Sequence, residues 1–86
     1  MEVRKVKFEC EDSLELKAIA VLIQKSSAFR SSIWLSSENR RANAKSLLGV
    51  MSLRIENGME IEVMAEGPDE KEAMETIADY LSGSEL

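Results

Sequence analysis

The hydrophobic pattern of this 86-residue chain changes three times from the two-residue period of a strand to the longer period of a helix. The clearest change lies within residues 59–81. Apolar and polar residues alternate over 59–65, which predicts a strand with one wet face, and Gly67-Pro68 breaks that strand. The apolar stripe of an amphipathic helix follows. This stripe comprises Ala73, Met74, Ile77, Ala78 and Leu81.

The remaining pattern completes a β-α-β-β-α-β-α order. It predicts a strand at 2–10, followed by a helix at 16–29. The buried face of this helix includes Ala18, Val21, Leu22 and Ala28. A hairpin of strands at 33–35 and 41–44 comes next, with Asn39 at positive φ, and a short helix begins after Ser46. Asp69 and Glu72 fit a capping box on the last helix. We predict an α+β fold, a four-stranded antiparallel sheet with three helices on one face. A chain of this length buries one small core, so we expect a single domain over 1–86.

Residue types exclude several classes of chemistry. The chain has no histidine, which excludes a Ser-His-Asp triad, a histidine metal site and a phosphohistidine. Its single cysteine, Cys10, excludes an internal disulfide and a cysteine-cluster zinc site. Its place beside Phe8 in the alternation predicts a small buried hydrophobe rather than a nucleophile. We therefore expect no catalytic residue, no metal and no cofactor.

Charge and hydropathy limit the partners and the location of the chain. Its net charge is −5, from 11 basic and 16 acidic residues, which argues against direct nucleic-acid binding. Residues 1–46 carry 9 − 6 = +3 and residues 47–86 carry 2 − 10 = −8. The basic half suits an acidic partner. A solvent-exposed surface with unevenly distributed charge explains the same difference in net charge between the two halves. The longest apolar run, 18–23, is far shorter than the roughly 20 residues of a membrane span, and residues 1–6 lack a signal sequence. We expect a cytoplasmic protein.

The short helix after Ser46 holds the most informative residues. Serine is a preferred N-cap, and the first amides of a helix also tolerate a phosphate on that serine. The residues alone leave both roles open. Val50 and Leu53 are candidates for the side that faces the core. The other apolar side chains then form either an exposed contact surface or more core. They are Leu47, Leu48 and Met51.

Residues 43–53, Asn-Ala-Lys-Ser-Leu-Leu-Gly-Val-Met-Ser-Leu, resemble the regulatory-serine segment of HPr, the histidine-containing phosphocarrier of the bacterial sugar phosphotransferase system (PTS). Residues 21–24, 58–61 and 67–70 extend the resemblance, and the length and element order agree with it. The resemblance covers essentially the whole chain. It implies an HPr-like open-faced β-sandwich.

This chain departs from the family pattern in the active segment. The family pattern is apolar-His-Ala-Arg-Pro-Ala, whereas residues 14–19 are Leu-Glu-Leu-Lys-Ala-Ile. Glu15 replaces the phospho-accepting histidine, Lys17 replaces the arginine and Ala18 replaces the proline. Lysine lacks the planar, bidentate grip of arginine on phosphate. The resemblance therefore implies a degenerate active site at Glu15 and no histidine relay.

The resemblance points to the histidine-less Crh type of the family, which acts in carbon catabolite repression. For this type it implies phosphorylation of Ser46 by HPr kinase/phosphorylase, followed by binding to a catabolite-control transcription regulator. It also implies that the apolar side chains of the short helix form a docking surface, with Lys17 and Ala20 beside it. The loss of the arginine and the proline puts the contact with the regulator in question.

Three other interpretations stay open. The chain could be a diverged HPr-like interaction domain with its own partner. It could bind that partner constitutively, with Glu15 partly imitating a phosphorylated histidine. Glu15 could also accept a phosphoryl group, although no other feature of the sequence supports such a carrier. We expect a monomer. The alternative is a dimer that exchanges the first strand, which we predict at a sheet edge.

Overall fold

In a computed structural model of this chain, the helices and strands follow the predicted order. The structure describes residues 1–9 and 15–83. Cys10, predicted to be buried, lies outside these residues. The elements are β1 Glu2–Lys7, α1 Glu15–Ser27, β2 Ser32–Ser37, β3 Arg40–Asn43, α2 Leu47–Ser52, β4 Glu60–Glu66 and α3 Glu70–Leu81. The strands form one antiparallel sheet in the order β1-β4-β2-β3, which confirms that β1 is an edge strand.

The two faces of the sheet differ as the alternating pattern predicts. Ile61, Val63 and Ala65 of β4 are completely buried on the face that carries the helices. The other face holds Glu60, which is exposed, and Glu62, which is partly exposed. The helix-covered face therefore forms the core, and the opposite face meets solvent. The apolar stripe of α3 is also buried, at Ala73, Met74, Ile77, Ala78 and Leu81.

The hairpin between β2 and β3 is tighter than the sequence suggests. Ser37 pairs with Arg40, which leaves a two-residue turn at Glu38 and Asn39. Their φ angles are 50° and 66°, as a type I′ turn requires at both central positions. The predicted positive φ of Asn39 is confirmed, and β3 begins one residue earlier than predicted.

The end of α1 differs from the prediction. The helix stops at Ser27, two residues before the predicted end at Phe29. Ala28 is exposed, so its predicted place on the buried face is wrong. Its amide bonds the carbonyl of Lys25 in a tight turn, and this turn rotates Ala28 off the helix face. Ser26 takes the buried position near the helix end instead.

Ser26 offers a test of how polar groups are accommodated in this core. Its side chain is fully buried, and its hydroxyl has no hydrogen-bond partner among the described residues. Removing an unpaired buried hydroxyl removes a desolvation cost. Ser26→Ala should leave the free energy of unfolding unchanged or raise it by up to about 1 kcal/mol, measured by urea denaturation. Ser31→Ala is the matched control, because Ser31 is equally buried but donates to Asp69, and it should destabilise. Equal losses in both variants would contradict this account.

The predicted capping box of Asp69 and Glu72 is wrong. Asp69 is the N-cap of α3, but its carboxylate makes no capping bond. It accepts hydrogen bonds from the backbone amides of Arg30 and Ser31, at 3.0 and 2.9 Å, and from the Ser31 hydroxyl. The Asp69 carboxylate thus binds three donors of a distant loop rather than an amide in the first turn of α3. Glu70 bonds the Gly67 amide at 3.2 Å instead.

These bonds give Asp69 a role in acid stability. Hydrogen bonds from the Ser31 hydroxyl and the two amides lower the pKa of Asp69 to about 2. A lowered folded-state pKa stabilises the fold at a pH above the unfolded-state pKa, which is about 4. The contribution is lost as the pH falls from about 4 to about 2. The stability difference between wild type and Asp69→Asn should therefore shrink across that interval in denaturation curves, and a constant difference would contradict it.

Candidate functional site at the second helix

Ser46 caps the short helix α2. Its φ of −107° and ψ of 116° are extended, and its Oγ accepts a hydrogen bond from the Gly49 amide at 3.2 Å. Its carbonyl accepts the first helical bond, from Val50, at 3.0 Å. The predicted N-cap is confirmed. Whether Ser46 is also phosphorylated stays a prediction.

The residue beside the Ser46 hydroxyl is a glycine, Gly49, and the first turn of α2 contains no acidic side chain. A Cβ added at Gly49 would lie 3.3 Å from Ser46 Oγ, so the glycine keeps the space beside the hydroxyl open. Ser46 itself is partly exposed. Ser46 therefore combines partial exposure with a first helical turn that holds no acidic side chain.

The apolar side chains of α2 and of its C-cap, Leu53, divide between core and surface. Val50 is fully buried and Leu53 is 5% exposed, as predicted for the core side. The exposed fractions of Leu47, Leu48 and Met51 are 45%, 80% and 44%. We call these three residues the α2 patch. A cluster of exposed large apolar side chains beside a helix cap is typical of a contact surface.

The site residues predicted on α1 are only partly described. Lys17 and Ala20 are exposed, and α1 packs against α2. Glu15 is the first residue of α1, but its side chain lies outside what the structure describes. The partner-binding role of Lys17 and Ala20 and any role of Glu15 remain predictions.

Two hydrogen bonds from cationic side chains in this region are not predicted from the sequence. Lys45 Nζ donates to the carbonyl of Phe29 at 2.7 Å, and Arg40 Nη1 donates to the carbonyl of Ser52 at 3.2 Å. The partners are 16 and 12 positions apart, and no short-range pattern predicts such pairs. Residues 39–55 contain four cationic side chains and no acidic one, so α2 lies in a basic stretch of the chain. The four are Arg40, Arg41, Lys45 and Arg54.

Within residues 1–9 and 15–83, no three side chains of the usual ligand types are grouped so that they could hold a metal ion. None of the helices described there has the length and apolar character needed to cross a membrane.

Known proteins match nearly the whole chain. The family model described as the PTS HPr component phosphorylation site matches residues 3–82. The HPr-like protein Crh of Bacillus subtilis (strain 168) is 35% identical over 81 residues, which is 94% of this chain and 95% of the relative. Both agree with the resemblance drawn from residues 43–53.

Solved structures agree with the fold. The phosphocarrier protein HPr of Bacillus anthracis superposes with a TM-score of 0.89 at 31% identity, covering 93% of this chain and 95% of its own. A crystal structure of Bacillus subtilis Crh, reported as a dimer with a swapping domain, gives a TM-score of 0.78 at 34% identity, covering 100% and 93%. The four-stranded sheet with three helices is thus the open-faced sandwich of HPr, and this chain belongs to the HPr family, as a Crh-like member.

Proposed function

We propose that this protein is a cytoplasmic regulator in PTS-linked carbon catabolite control, switched by phosphorylation of Ser46. HPr kinase/phosphorylase adds the phosphate, and the modified protein then binds a catabolite-control transcription regulator through the α2 patch. The protein binds rather than catalyses, and it carries no phosphohistidine because it has no histidine. The observation that carries the proposal is the position of Ser46 at the cap of α2, directly before exposed Leu47 and Leu48.

The chemistry of this position suits a switch. A phosphate adds nearly two negative charges and three acceptor oxygens, and at a helix N-terminus it stiffens the first turn. Its oxygens can accept from the Gly49 amide, which now bonds Ser46 Oγ at 3.2 Å. The α2 patch would gain a strong charge at its edge without being rebuilt. A partner with an apolar centre and a cation at the matching edge would then distinguish the two forms.

The alternative is an HPr-like domain that binds its partner constitutively, without phosphorylation. The sequence of α1 favours it, since Lys17 and Ala18 stand where the family has the arginine and proline of its active segment. In this alternative the α2 patch and Lys17 still form the surface. The two functions differ in one observable, the dependence of binding on the phosphate.

For the oligomeric state we propose a monomer, with a β1-exchanged dimer as the alternative. β1 lies at the edge of the sheet and pairs only with β4 among the described strands. Analytical ultracentrifugation at increasing protein concentration distinguishes the two states.

Intact-mass spectrometry tests the switch. The protein is incubated with HPr kinase/phosphorylase and ATP, beside Ser46→Ala and Ser52→Ala. Ser52 is the matched control, because it is an exposed serine at the other end of α2 whose hydroxyl bonds the Gly49 carbonyl at 2.6 Å. We expect one added phosphate in wild type and Ser52→Ala and none in Ser46→Ala. An unmodified wild type would leave Ser46 as a helix cap only.

A further inference from the structure

Lys45, the residue directly before Ser46, is fixed in place by its hydrogen bonds. Its Nζ donates to the Phe29 carbonyl at 2.7 Å, in a partly buried position, and its backbone amide donates to Asn43 Oδ1 at 2.8 Å. The Ser46 amide donates to the Asn43 carbonyl at 3.0 Å. The loop that carries Ser46 is thus tied through one ammonium group to the segment that follows α1.

That segment, residues 28–31, is held from two sides. The Phe29 amide bonds the Ser26 carbonyl at 3.2 Å, while its carbonyl receives Lys45. The next two amides, of Arg30 and Ser31, donate to the Asp69 carboxylate at the start of α3. A change at Lys45 therefore reaches a junction that connects α1, β2 and α3.

We propose that Lys45 relays the state of Ser46 to residues 28–31. When Ser46 is phosphorylated, the Lys45 ammonium leaves the Phe29 carbonyl and pairs with the phosphate, and residues 28–31 loosen. The inference rests on the proposed phosphorylation of Ser46.

The charges favour this exchange of partners. A backbone carbonyl offers a partial negative charge, whereas a phosphate carries nearly two full charges and forms stronger hydrogen bonds with a cation. The lysine ammonium is a point charge on a flexible stem, so it can change partners without movement of its own backbone. No acidic side chain in residues 39–55 competes for it.

Hydrogen exchange on defined proteins tests the relay. Phosphoserine is installed at position 46 during translation, so no kinase is needed, and amide exchange of residues 28–31 is measured by NMR together with the Lys45 ammonium signal. We expect Lys45→Met, which keeps the length of the side chain but removes its donor, to speed that exchange about tenfold, as the loss of one charge-assisted hydrogen bond implies. The phosphoprotein should show a similar increase and a shifted ammonium signal. Lys45→Met in the phosphoprotein should add nothing further.

The control is Lys7→Met, at an exposed lysine of β1, which should leave exchange of residues 28–31 unchanged. The relay is overturned if the phosphoprotein keeps the exchange rates and the ammonium signal of the unmodified protein, or if Lys45→Met alone leaves the exchange of residues 28–31 unchanged. A failure of HPr kinase/phosphorylase to modify Ser46 would count against the proposed function alone, because the phosphate in this experiment is placed without it.

Discussion

Gly67→Ala should be among the most damaging substitutions in this protein. A Cβ at this position would lie 2.6 Å from the Ser31 Cα, which is backbone and cannot move alone. The φ of +153° adds strain for any residue with a side chain. The clash lies at the junction where Asp69 binds the loop after α1. We expect a loss of about 3 kcal/mol in the free energy of unfolding, measured by urea denaturation.

Gly58→Ala is the matched control for this substitution. Gly58 also has positive φ, +91°, but an added Cβ would meet nothing within 4 Å. This variant carries the backbone strain without the clash, so its loss should be about 1 kcal/mol. Equal losses at the two glycines would show that the contact with Ser31 does not limit Gly67.

Truncation to alanine should cost much stability at one leucine and almost none at another. Leu35 is completely buried in β2, and Leu48 is 80% exposed on α2. Leu35→Ala removes core contacts and leaves a cavity, so the free energy of unfolding should fall by about 2–5 kcal/mol. Leu48→Ala should stay within about 0.5 kcal/mol of wild type, as exposed positions usually do. Thermal or urea denaturation of both variants measures the contrast.

The leucine pair also bears on function. A large loss of stability in Leu48→Ala would mean that the α2 patch contributes to the core, and the docking proposal would lose its surface. A silent Leu48→Ala supports a patch that is free for a partner, because natural proteins seldom expose such side chains together without a use for them.

Local pattern predicted the elements that depend on neighbours in sequence. Periodicity placed β4 and α3, since the buried face of each is set by alternation or by helical spacing within the element. Ser46 was predicted as an N-cap because its hydroxyl needs a partner only three residues away, at Gly49. The resemblance through residues 43–53 supplied the family.

Features that depend on distant residues were not predictable in this way. Aspartate is a residue type typical of helix caps, but the Asp69 carboxylate accepts hydrogen bonds from Ser31, 38 positions earlier in the chain. The bond from Lys45 to Phe29 likewise joins residues that only the folded chain brings together. The exposure of Leu48 depended on the length of α2 and on its packing, which periodicity over two turns leaves open.

A phosphate on Ser46 should switch partner binding at the α2 patch. Isothermal titration of a catabolite-control transcription regulator tests it with four proteins, which are wild type and Leu48→Ala, each with and without phosphoserine at position 46. We predict that the phosphate tightens binding of wild type at least tenfold, about 1.4 kcal/mol, and that Leu48→Ala weakens the phosphorylated form. Equal affinity of the two wild-type forms would contradict the switch and favour constitutive binding.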